Sequence, residues 1–562
     1  MEPNVASSLD QIGRQTRTLL HLHPAQVWHR LRLQTQRKVV ARNPEKTAQR
    51  WAVAPRGPIG LPESFRAIDA DHLANRWALE DLDRGRFDLL NEPRELGDPI
   101  DWTPPHTTQL WSFHLHYWEW AWALAAASDR DTARSVFSRH LRSWTAGTTF
   151  GTWDGWAPYP ASLRAWVLVN VHRNLAAGSD IEPMLWETIG LHAGFLEHNL
   201  ELDVGGNHII KNIKGLLGCA TFLSDDRLLA ASLGHLLREL KVQVLPDGGH
   251  YELSPSYHCQ VLTDLADMAG LLAAIDHPPV PELDEALTRM RRWLGEMLLP
   301  DRTLPLFNDS EPVDPALIAA LYPDTVKPLP LVILPDSGYA VVRSGRLHLI
   351  ADVGQPGPAS PPGHIHADCL SFVLHVDDKP VIVDTGTSEY GSGPRRAHER
   401  STAAHNTIEV DRTDQTEVFG AFRAGRRARA TLERAESAPD GSVSITASHD
   451  GYRHLPGRPV HRRTWSVTGN EVTITDEITG SGRHRLDSRF HRLAIGGHAA
   501  QASTQIPMDI VEIVADPTTE HTTHPCDLAA GFGNLVPGRS DTLSVTVQLP
   551  TVITTTIRVR NP

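Results

Sequence analysis

The spacing of apolar residues along the chain changes once. From about residue 68 to 300, apolar residues recur every three to four positions, as in SLRAWVLVNVHRNLAAG and HIIKNIKGLLGCATFL. This period is typical of helices that bury one face. The segments between these runs are short and rich in Gly, Pro, Asp and Ser, so successive helices are expected to form hairpins. Many hairpins in series predict a curved array or toroid with a central groove.

After a proline-rich stretch at about 323–338 the period becomes two. Segments such as YAVVRSGRLHLIADVG and TWSVTGNEVTITDEI alternate apolar and polar residues, which is the pattern of half-buried strands. VDDKPV and VTGNEV have the composition of hairpin turns. Because a run of helices is followed by a run of strands, we predict a multidomain α+β protein whose strand half is an antiparallel β-sandwich.

The N-terminal region is strongly basic. Residues 11–50 carry nine Lys and Arg residues against one acidic residue, and LLHLHPAQVWHRLRLQ has the pattern of an amphipathic helix. We predict a helical arm over 1–60, followed by the helical domain at 61–330 and the sandwich at 331–562. A helical arm that packs on the main body is the favoured interpretation, and docking on an anionic membrane surface is the alternative.

Composition excludes several classes of protein. The net charge of −13 argues against nucleic-acid binding, although a local cleft can still take an anionic ligand. The four cysteines are far apart in the 562 residues, so neither a disulfide framework nor a cysteine-based zinc module is expected. We find no signal-like segment and no segment of transmembrane length. We therefore expect a cytoplasmic protein, or a periplasmic or secreted one if the chain has been processed.

Two clusters of proton-handling residues interrupt the helical half. In GGNHIIKN, Asn207 and His208 lie where a glycine pair gives way to a helix, whose N-terminus favours a bound anion. A helix cap and a surface histidine are the alternative explanation. In DGGHYELSPSYH, Pro255 marks a helix start that holds Tyr257 rigidly. This tyrosine can exchange a proton with a substrate, while Glu252 can orient the substrate or a neighbouring side chain.

A third cluster lies at the start of the strand half. His364 and His366 are two residues apart in GHIHADCLSF, and Asp384 and His405 follow on later segments. Histidine and aspartate side chains on adjacent strands suit a zinc ion. A His-x-His pair alone is a moderate signal, so zinc is one of two interpretations at this point, the other being histidines without a metal.

Taken in order, these clusters resemble the heparinase II/III-like polysaccharide lyases. The resemblance covers about residues 90–420 and includes GGNHIIKN, DGGHYELSPSYH, GHIHADCLSFVLHVDDKPVIVDTGT and RSTAAHNTIEVD. It implies an incomplete (α/α) toroid followed by an antiparallel β-sandwich. It also implies β-elimination on a uronic-acid polysaccharide, either glycosaminoglycan-like, alginate-like or a bacterial exopolysaccharide, with no organic cofactor. The clusters would then surround one acidic sugar ring.

The resemblance implies roles for individual residues. Asn207 matches a carboxylate-binding asparagine, His208 a neutraliser or base, and Tyr257 the acid. His364 matches a histidine that reaches the cleft from the sandwich, and Tyr390 falls near a substrate-contacting tyrosine. The metal ligands that the resemblance implies are His366, Asp384 and His405, around a structural zinc ion.

Three further residues are candidates for substrate binding. Arg164 and Arg400 are suited to grip a carboxylate through two hydrogen bonds, or else they are structural salt-bridge residues. Glu252 is the third, and it can orient either the substrate or a neighbouring side chain. The sequence departs from many relatives at Lys211, a cation that either favours a more acidic substrate or is solvated.

Two other functions share these residues. A uronate C5-epimerase would remove the same proton and return it to the other face, and dermatan-type epimerases resemble this fold. A non-catalytic carbohydrate-binding protein is the other alternative. The expected partner is an anionic polysaccharide or oligosaccharide substrate, and nucleic acid is not expected. Peripheral membrane contact through the basic arm stays the alternative stated above, and the sequence does not indicate an oligomeric state.

Overall fold

The computed structural model describes Gly13, Arg17 and residues 24–323, 329–358, 362–494 and 510–560. The chain divides into two compact units. We call residues 23–243 and 260–287 the helical unit, and residues 1–22, 244–259 and 288–562 the sandwich unit. The sequence pattern alone assigned 61–330 to the helical part, whereas residues 244–259 and 288–330 group with the strands.

The helical unit is built from helices joined by short connections. Its helices are α1 (Pro24–Arg42), α2 (Pro44–Trp51), α3 (Asp69–His72), α4 (Leu79–Asp83), α5 (Gln109–Tyr117), α6 (Ala121–Ala126), α7 (Arg130–Gly147), α8 (Pro158–Leu175), α9 (Glu182–His198), α10 (Gly206–Phe222) and α11 (Asp226–Gln243). A small antiparallel hairpin, β1 (Arg86–Leu89) and β2 (Glu92–Glu95), follows α4. Two more helices, α12 (Pro255–Ala274) and α13 (Pro281–Met297), are shared between the units along the chain.

Helices α8 and α10 approach each other closely, and a glycine makes this possible. A Cβ atom added at Gly215 of α10 would lie 2.7 Å from the carbonyl oxygen of Ser162 on α8, which is too close for any side chain. Asn212, one turn before, donates a hydrogen bond of 2.9 Å from Nδ2 to the Ser162 hydroxyl. Because these contacts hold the start of α10, the residues at its N-terminus have a fixed position.

The sandwich unit contains the remaining elements. They are α14 (Pro315–Leu321), β3 (Leu331–Leu334), β4 (Tyr339–Ser344), β5 (Leu347–Asp352), β6 (Phe372–Val376), β7 (Lys379–Ile382), α15 (Pro394–Glu399), β8 (Ile408–Val410), β9 (Val418–Phe419), β10 (Arg423–Ala424), β11 (Ala430–Ser437), β12 (Val443–His449), β13 (Val460–Thr468), β14 (Glu471–Thr479), β15 (Arg483–Leu493), β16 (Val511–Val514), β17 (Glu520–Ala529), β18 (Leu535–Gln548) and β19 (Thr551–Val559). They form a five-stranded sheet (β3-β4-β5-β6-β7), a six-stranded sheet (β11-β12-β13-β14-β19-β16), a four-stranded sheet (β17-β18-β15-β8) and the β9–β10 pair. All strand pairs are antiparallel.

One apolar core joins the three larger sheets. It contains Leu349 and Phe372 from the five-stranded sheet, Ile445 and Trp465 from the six-stranded sheet, and Phe490 from the four-stranded sheet, all fully buried. Strands β13 and β14 alternate half-buried and buried residues along their first eight positions, and the ninth residue of each is exposed. The period of two in the sequence therefore reflects strands with one face in this core.

The predicted order of helices followed by antiparallel strands is confirmed. The predicted hairpin turns join β6 to β7 and β13 to β14. In the basic arm, the described part forms α1 and α2, while 1–12, 14–16 and 18–23 lie outside the described residues. No helix in the described ranges is both long and apolar enough to cross a bilayer.

Candidate active site

In the sandwich unit, three of the predicted site residues contact one another. Tyr257 lies in the first turn of α12, where Pro255 supplies a backbone angle suited to a helix start. Its hydroxyl group is 2.8 Å from the hydroxyl group of Tyr390. Its ring packs against that of His364, with 4.0 Å between the ring centroids and 33° between the ring planes. All three side chains are half-buried, so they remain accessible to a ligand.

The carboxylate of Asp309 contacts this group through His364. Asp309 is buried, and its Oδ2 atom is 2.9 Å from Nδ1 of His364 and accepts a hydrogen bond of 2.7 Å from Nη2 of Arg396. Its Oδ1 atom is 2.8 Å from Nε2 of His366. Burial opposes ionisation, but Arg396 and the two histidines outweigh it and hold the pKa of Asp309 well below its usual range. Asp309 is therefore an anion at the centre of the group.

These contacts determine which atoms can take part in chemistry. Because the Asp309 carboxylate can only accept, the Nδ1 atom of His364 carries the proton, and a neutral ring presents the Nε2 lone pair. Burial and the nearby Asp309 charge raise the pKa of Tyr390 well above its usual value. Tyr390 therefore stays a neutral phenol that can donate a hydrogen bond to the Tyr257 oxygen. Arg396, 4.9 Å from the Tyr390 ring centroid, packs over this ring.

The three predicted zinc ligands lie close together beside this group. Nδ1 of His405 is 2.9 Å from Oδ2 of Asp384, and the rings of His405 and His366 are 5.3 Å apart between centroids. Within the described ranges, Nδ1 of His366 and Nε2 of His405 are buried and have no hydrogen-bond partner. The same holds for both carboxylate oxygens of Asp368. However, no group of three or more His, Cys, Asp or Glu residues in the described part of the chain is arranged to hold a metal ion.

In the helical unit, Asn207 and His208 lie in the first turn of α10, directly after Gly205 and Gly206, whose φ angles are 74° and 62°. Nδ2 of Asn207 donates a hydrogen bond of 2.8 Å to Oε1 of Gln260, and the Tyr159 hydroxyl donates one of 3.3 Å to the same atom. Burial raises the pKa of Tyr159 well above its usual value, so it is a neutral donor. The Asn207 amide is thus held in place by a neighbour on α12.

His208 has its own supporting contacts. Its Nδ1 atom is 3.3 Å from Oε1 of Glu201, and its ring lies 4.4 Å from the Tyr159 ring. Glu201 is buried and in turn accepts a hydrogen bond of 3.1 Å from Asn212. This chain of contacts orients the His208 ring. It repeats the arrangement of His364 with Asp309, in which a buried carboxylate positions an accessible histidine.

His208 lies in a groove of the helical unit with a volume of about 480 Å³. Glu201, Tyr159, Trp153 and Arg37 are among the other residues that line it. Trp153 has a positive φ angle of 58° and an 80% exposed side chain. An exposed indole is a flat apolar surface on which a sugar ring can stack, and Arg37 adds a cation that suits an anionic sugar.

Two predicted substrate contacts need correction. Arg164 is fully buried, and its guanidinium group donates to His192 and to the carbonyl oxygens of His116 and Gly155. Arg400 is also buried and donates to four backbone carbonyl groups, including that of Ile365. Both arginines satisfy buried carbonyl groups, so neither the predicted substrate contact nor the alternative salt bridge describes them.

The two remaining ambiguous residues are also buried. Glu252 is 3% exposed, so it is not placed to contact a substrate, and its Oε2 atom lies 3.8 Å from Nδ1 of His250, which is too far for a hydrogen bond. Lys211 is neither solvated nor available to a substrate, because Nζ donates a hydrogen bond of 2.8 Å to Oδ1 of Asp264. The departure from relatives at position 211 is therefore compensated inside the protein.

Comparison with known proteins places the chain in a family. The family model for the heparinase II/III N-terminus matches residues 69–331, and the model for the heparinase II/III-like C-terminal domain matches residues 326–530. Together they span most of the chain. A crystal structure of heparinase III has a TM-score of 0.73 and 16% sequence identity, covering 90% of this chain and 88% of that chain. The predicted fold class, a helical toroid followed by an antiparallel sandwich, is confirmed.

Two curated relatives are similar in sequence. FtsZ-localized protein C of Caulobacter vibrioides is 29% identical over 399 residues, which is 68% of this chain and 67% of that protein. A heparin-sulfate lyase of Bacteroides stercoris is 25% identical over 325 residues, which is 51% of this chain and 45% of the lyase. The chain thus matches less than half the length of that lyase. The two family models and the heparinase III fold agree with the motifs in the sequence: the chain belongs to the heparinase II/III-like family of polysaccharide lyases.

Proposed function

We propose that this protein cleaves a uronic-acid polysaccharide by β-elimination. In this reaction a base removes the proton at sugar C5, next to the carboxylate. The electron pair forms the C4–C5 double bond, the bond between C4 and the glycosidic oxygen breaks, and an acid protonates that oxygen. Negative charge develops on the uronate carboxylate, so donors that contact it stabilise the transition state.

The observation that carries the proposal is the group of Tyr257, Tyr390 and His364 above Asp309. The Tyr257 hydroxyl, at 2.8 Å from that of Tyr390, is a proton donor whose own oxygen can receive a hydrogen bond after it gives up its proton. This suits the acid that protonates the leaving oxygen. His364, oriented by Asp309, is proposed as the neutraliser or base through Nε2.

The helical unit supplies the other proposed groups. Asn207, held through Gln260, is proposed to donate to the uronate carboxylate. His208, oriented by Glu201, is proposed as a second neutraliser or base. Trp153 and Arg37 in the groove beside His208 would contact sugars away from the bond that breaks. In the chain, Gln260 follows Tyr257 by three residues, one turn later on α12.

The product distinguishes this reaction from its alternatives. A lyase forms an unsaturated uronate that absorbs ultraviolet light, and we propose to screen glycosaminoglycans, alginate and bacterial exopolysaccharides for new absorbance. Exchange of the C5 hydrogen in deuterated water without new absorbance would indicate an epimerase instead. No change with any polymer, and no change in a Tyr257→Phe variant, would favour a non-catalytic carbohydrate-binding protein.

We also propose a structural zinc ion bound by His366, Asp384 and His405. The support is that Nδ1 of His366 is buried and, within the described residues, has no hydrogen-bond partner, and that Nδ1 of His405 and Oδ2 of Asp384 already lie 2.9 Å apart. A zinc ion would give the His366 nitrogen a partner. A bound ion would cross-link the segments that follow β7 and α15. Elemental analysis of the purified protein should find about one zinc per chain. His405→Ala should remove the zinc and lower the melting temperature, and a folded wild-type protein without zinc would refute the proposal.

One relative favours a second candidate function. FtsZ-localized protein C matches more of this chain, at higher identity, than the lyase relative does, and its name describes localisation with FtsZ rather than a reaction. We propose association with an FtsZ polymer as the alternative function. Co-sedimentation with assembled FtsZ tests it, and a Tyr257→Phe variant that still co-sediments would show that association does not require the proposed acid. Failure to co-sediment would remove this candidate.

A further inference from the structure

The N-terminal helix α1 (Pro24–Arg42) packs on the helical unit through one face only. Leu33 and Val40 are buried, at 2% exposure each. Nε2 of Gln36 donates hydrogen bonds of 2.8 Å to the carbonyl oxygen of His198 and 3.1 Å to Oδ1 of Asn199. These contacts fix the rotation of the helix about its axis, and therefore determine which residues point away from the protein.

The opposite face of α1 exposes a stripe of large apolar side chains. Trp28 is 65% exposed, Leu31 57%, Val39 55% and Val27 45%. Residues 28, 31, 35 and 39 follow one another at spacings of three and four, so they form a single line along the helix. Of the eleven large apolar side chains that are exposed in the described ranges, four lie on this helix: Val27, Trp28, Leu31 and Val39. Single exposed apolar residues are common, but a concentrated stripe indicates an interaction surface.

The same helix is basic throughout. Its sequence, PAQVWHRLRLQTQRKVVAR, contains four Arg and one Lys and no acidic residue, whereas the whole chain has a net charge of −13. Arg30, Lys38 and Arg42 are exposed. A local excess of cations on an acidic protein attracts an anionic partner and is not needed for solubility.

We propose that this face of α1 binds the surface of a membrane that contains anionic lipid. An indole and aliphatic side chains enter the boundary between headgroups and acyl chains, while Lys and Arg remain at the phosphate groups. A nucleic acid would use the cations but leave Leu31 and Val39 in water. The helix has only 19 residues, with five cations, so it would lie in the interface rather than cross it.

Vesicle flotation with the full chain tests the proposal. The protein is mixed with phosphatidylcholine vesicles that contain either no anionic lipid or about a third phosphatidylglycerol. We expect binding to the anionic vesicles, at least tenfold weaker binding to the neutral ones, and weaker binding as salt screens the cations. Trp28→Glu combined with Leu31→Glu should lower binding at least tenfold. Val242→Glu, at a 59% exposed apolar residue on α11, is the matched control and should bind as the wild type does.

The charge contribution needs a separate comparison. Arg30, Lys38 and Arg42 replaced by Gln should weaken binding at least tenfold, whereas the same change at the exposed body residues Arg84, Arg291 and Arg292 should have a much smaller effect. Circular dichroism and melting temperature confirm that each variant is folded. The proposal is overturned if the wild type does not float with anionic vesicles or if the Trp28/Leu31 variant floats equally well. It is also overturned if the wild type is a dimer that does not bind lipid and the Trp28/Leu31 variant is a monomer.

Discussion

Asp309→Asn is expected to destabilise the sandwich unit and to lower activity. The change keeps the size of the side chain and removes its charge. Asp309 and Arg396 are both fully buried, and the two guanidinium nitrogens of Arg396 contact the two carboxylate oxygens. Removing one partner of a buried ion pair leaves an uncompensated charge, which costs about 3–5 kcal/mol. We therefore expect the free energy of unfolding to fall by about 3 kcal/mol or more.

The pH dependence of this effect follows from the pKa of Asp309. Its pKa in the folded protein lies well below the usual range, and an unfolded Asp has a pKa of about 3.9. A depressed pKa stabilises the protein at every pH above the unfolded value, and this contribution is lost as the pH falls through the folded value. The difference between wild type and variant should therefore be constant from about pH 5 to 8 and shrink below about pH 4.

Urea unfolding followed by circular dichroism measures this difference. Glu433→Gln is the matched control, because it is also a carboxylate-to-amide change in the sandwich unit. Its partner Arg462 is 42% exposed, and exposed pairs contribute about 1 kcal/mol or less. If Asp309→Asn costs no more than Glu433→Gln, the buried carboxylate does not hold Arg396 and His364 in place, and the argument for an oriented His364 fails with it.

Two other carboxylate contacts give further predictions. Glu201→Gln should lower kcat about 10- to 100-fold with little change in KM, because His208 loses the charge that orients it; unchanged kcat in steady-state assays would exclude this role. Lys214→Met should lower the free energy of unfolding by about 3–5 kcal/mol. Lys214 is buried, which lowers its pKa, but its contact with Asp267 at 2.7 Å and the charge of Asp264 outweigh burial and raise the pKa. Lys241 is exposed, so Lys241→Met should change the free energy of unfolding little. Equal effects of Lys214→Met and Lys241→Met in urea unfolding would contradict the account.

The elements of the fold were predictable because each part has one dominant period. Strands β13 and β14 bury alternate residues, and their turn at Gly469 has the positive φ angle of 58° that glycine adopts readily. The local pattern of apolar residues and turn residues is therefore enough to predict these strands and the turn between them. The motif residues Asn207 and Tyr257 were also identifiable, because they stand at helix starts marked by glycine or proline.

The supporting residues could not be predicted, because they act through contacts between distant segments. Asp309 lies in FNDSEP, which has no periodic pattern, and it contacts His364 across 55 residues. Likewise, Gln260 is an ordinary polar residue of α12 until its hydrogen bond to Asn207, 53 residues away, is known. The sequence also does not show which side chains are buried. The residues that flank Arg164 would be the same whether its side chain faced a substrate or, as here, the interior.

The most direct test of the proposed function compares wild type with Tyr257→Phe on a panel of uronic-acid polysaccharides. The account predicts new ultraviolet absorbance from at least one polymer with the wild type. The variant, which lacks only the hydroxyl that contacts Tyr390, should show an initial rate at least a hundredfold lower, consistent with the loss of a general acid. Equal rates for the two proteins on a polymer that is cleaved would contradict it.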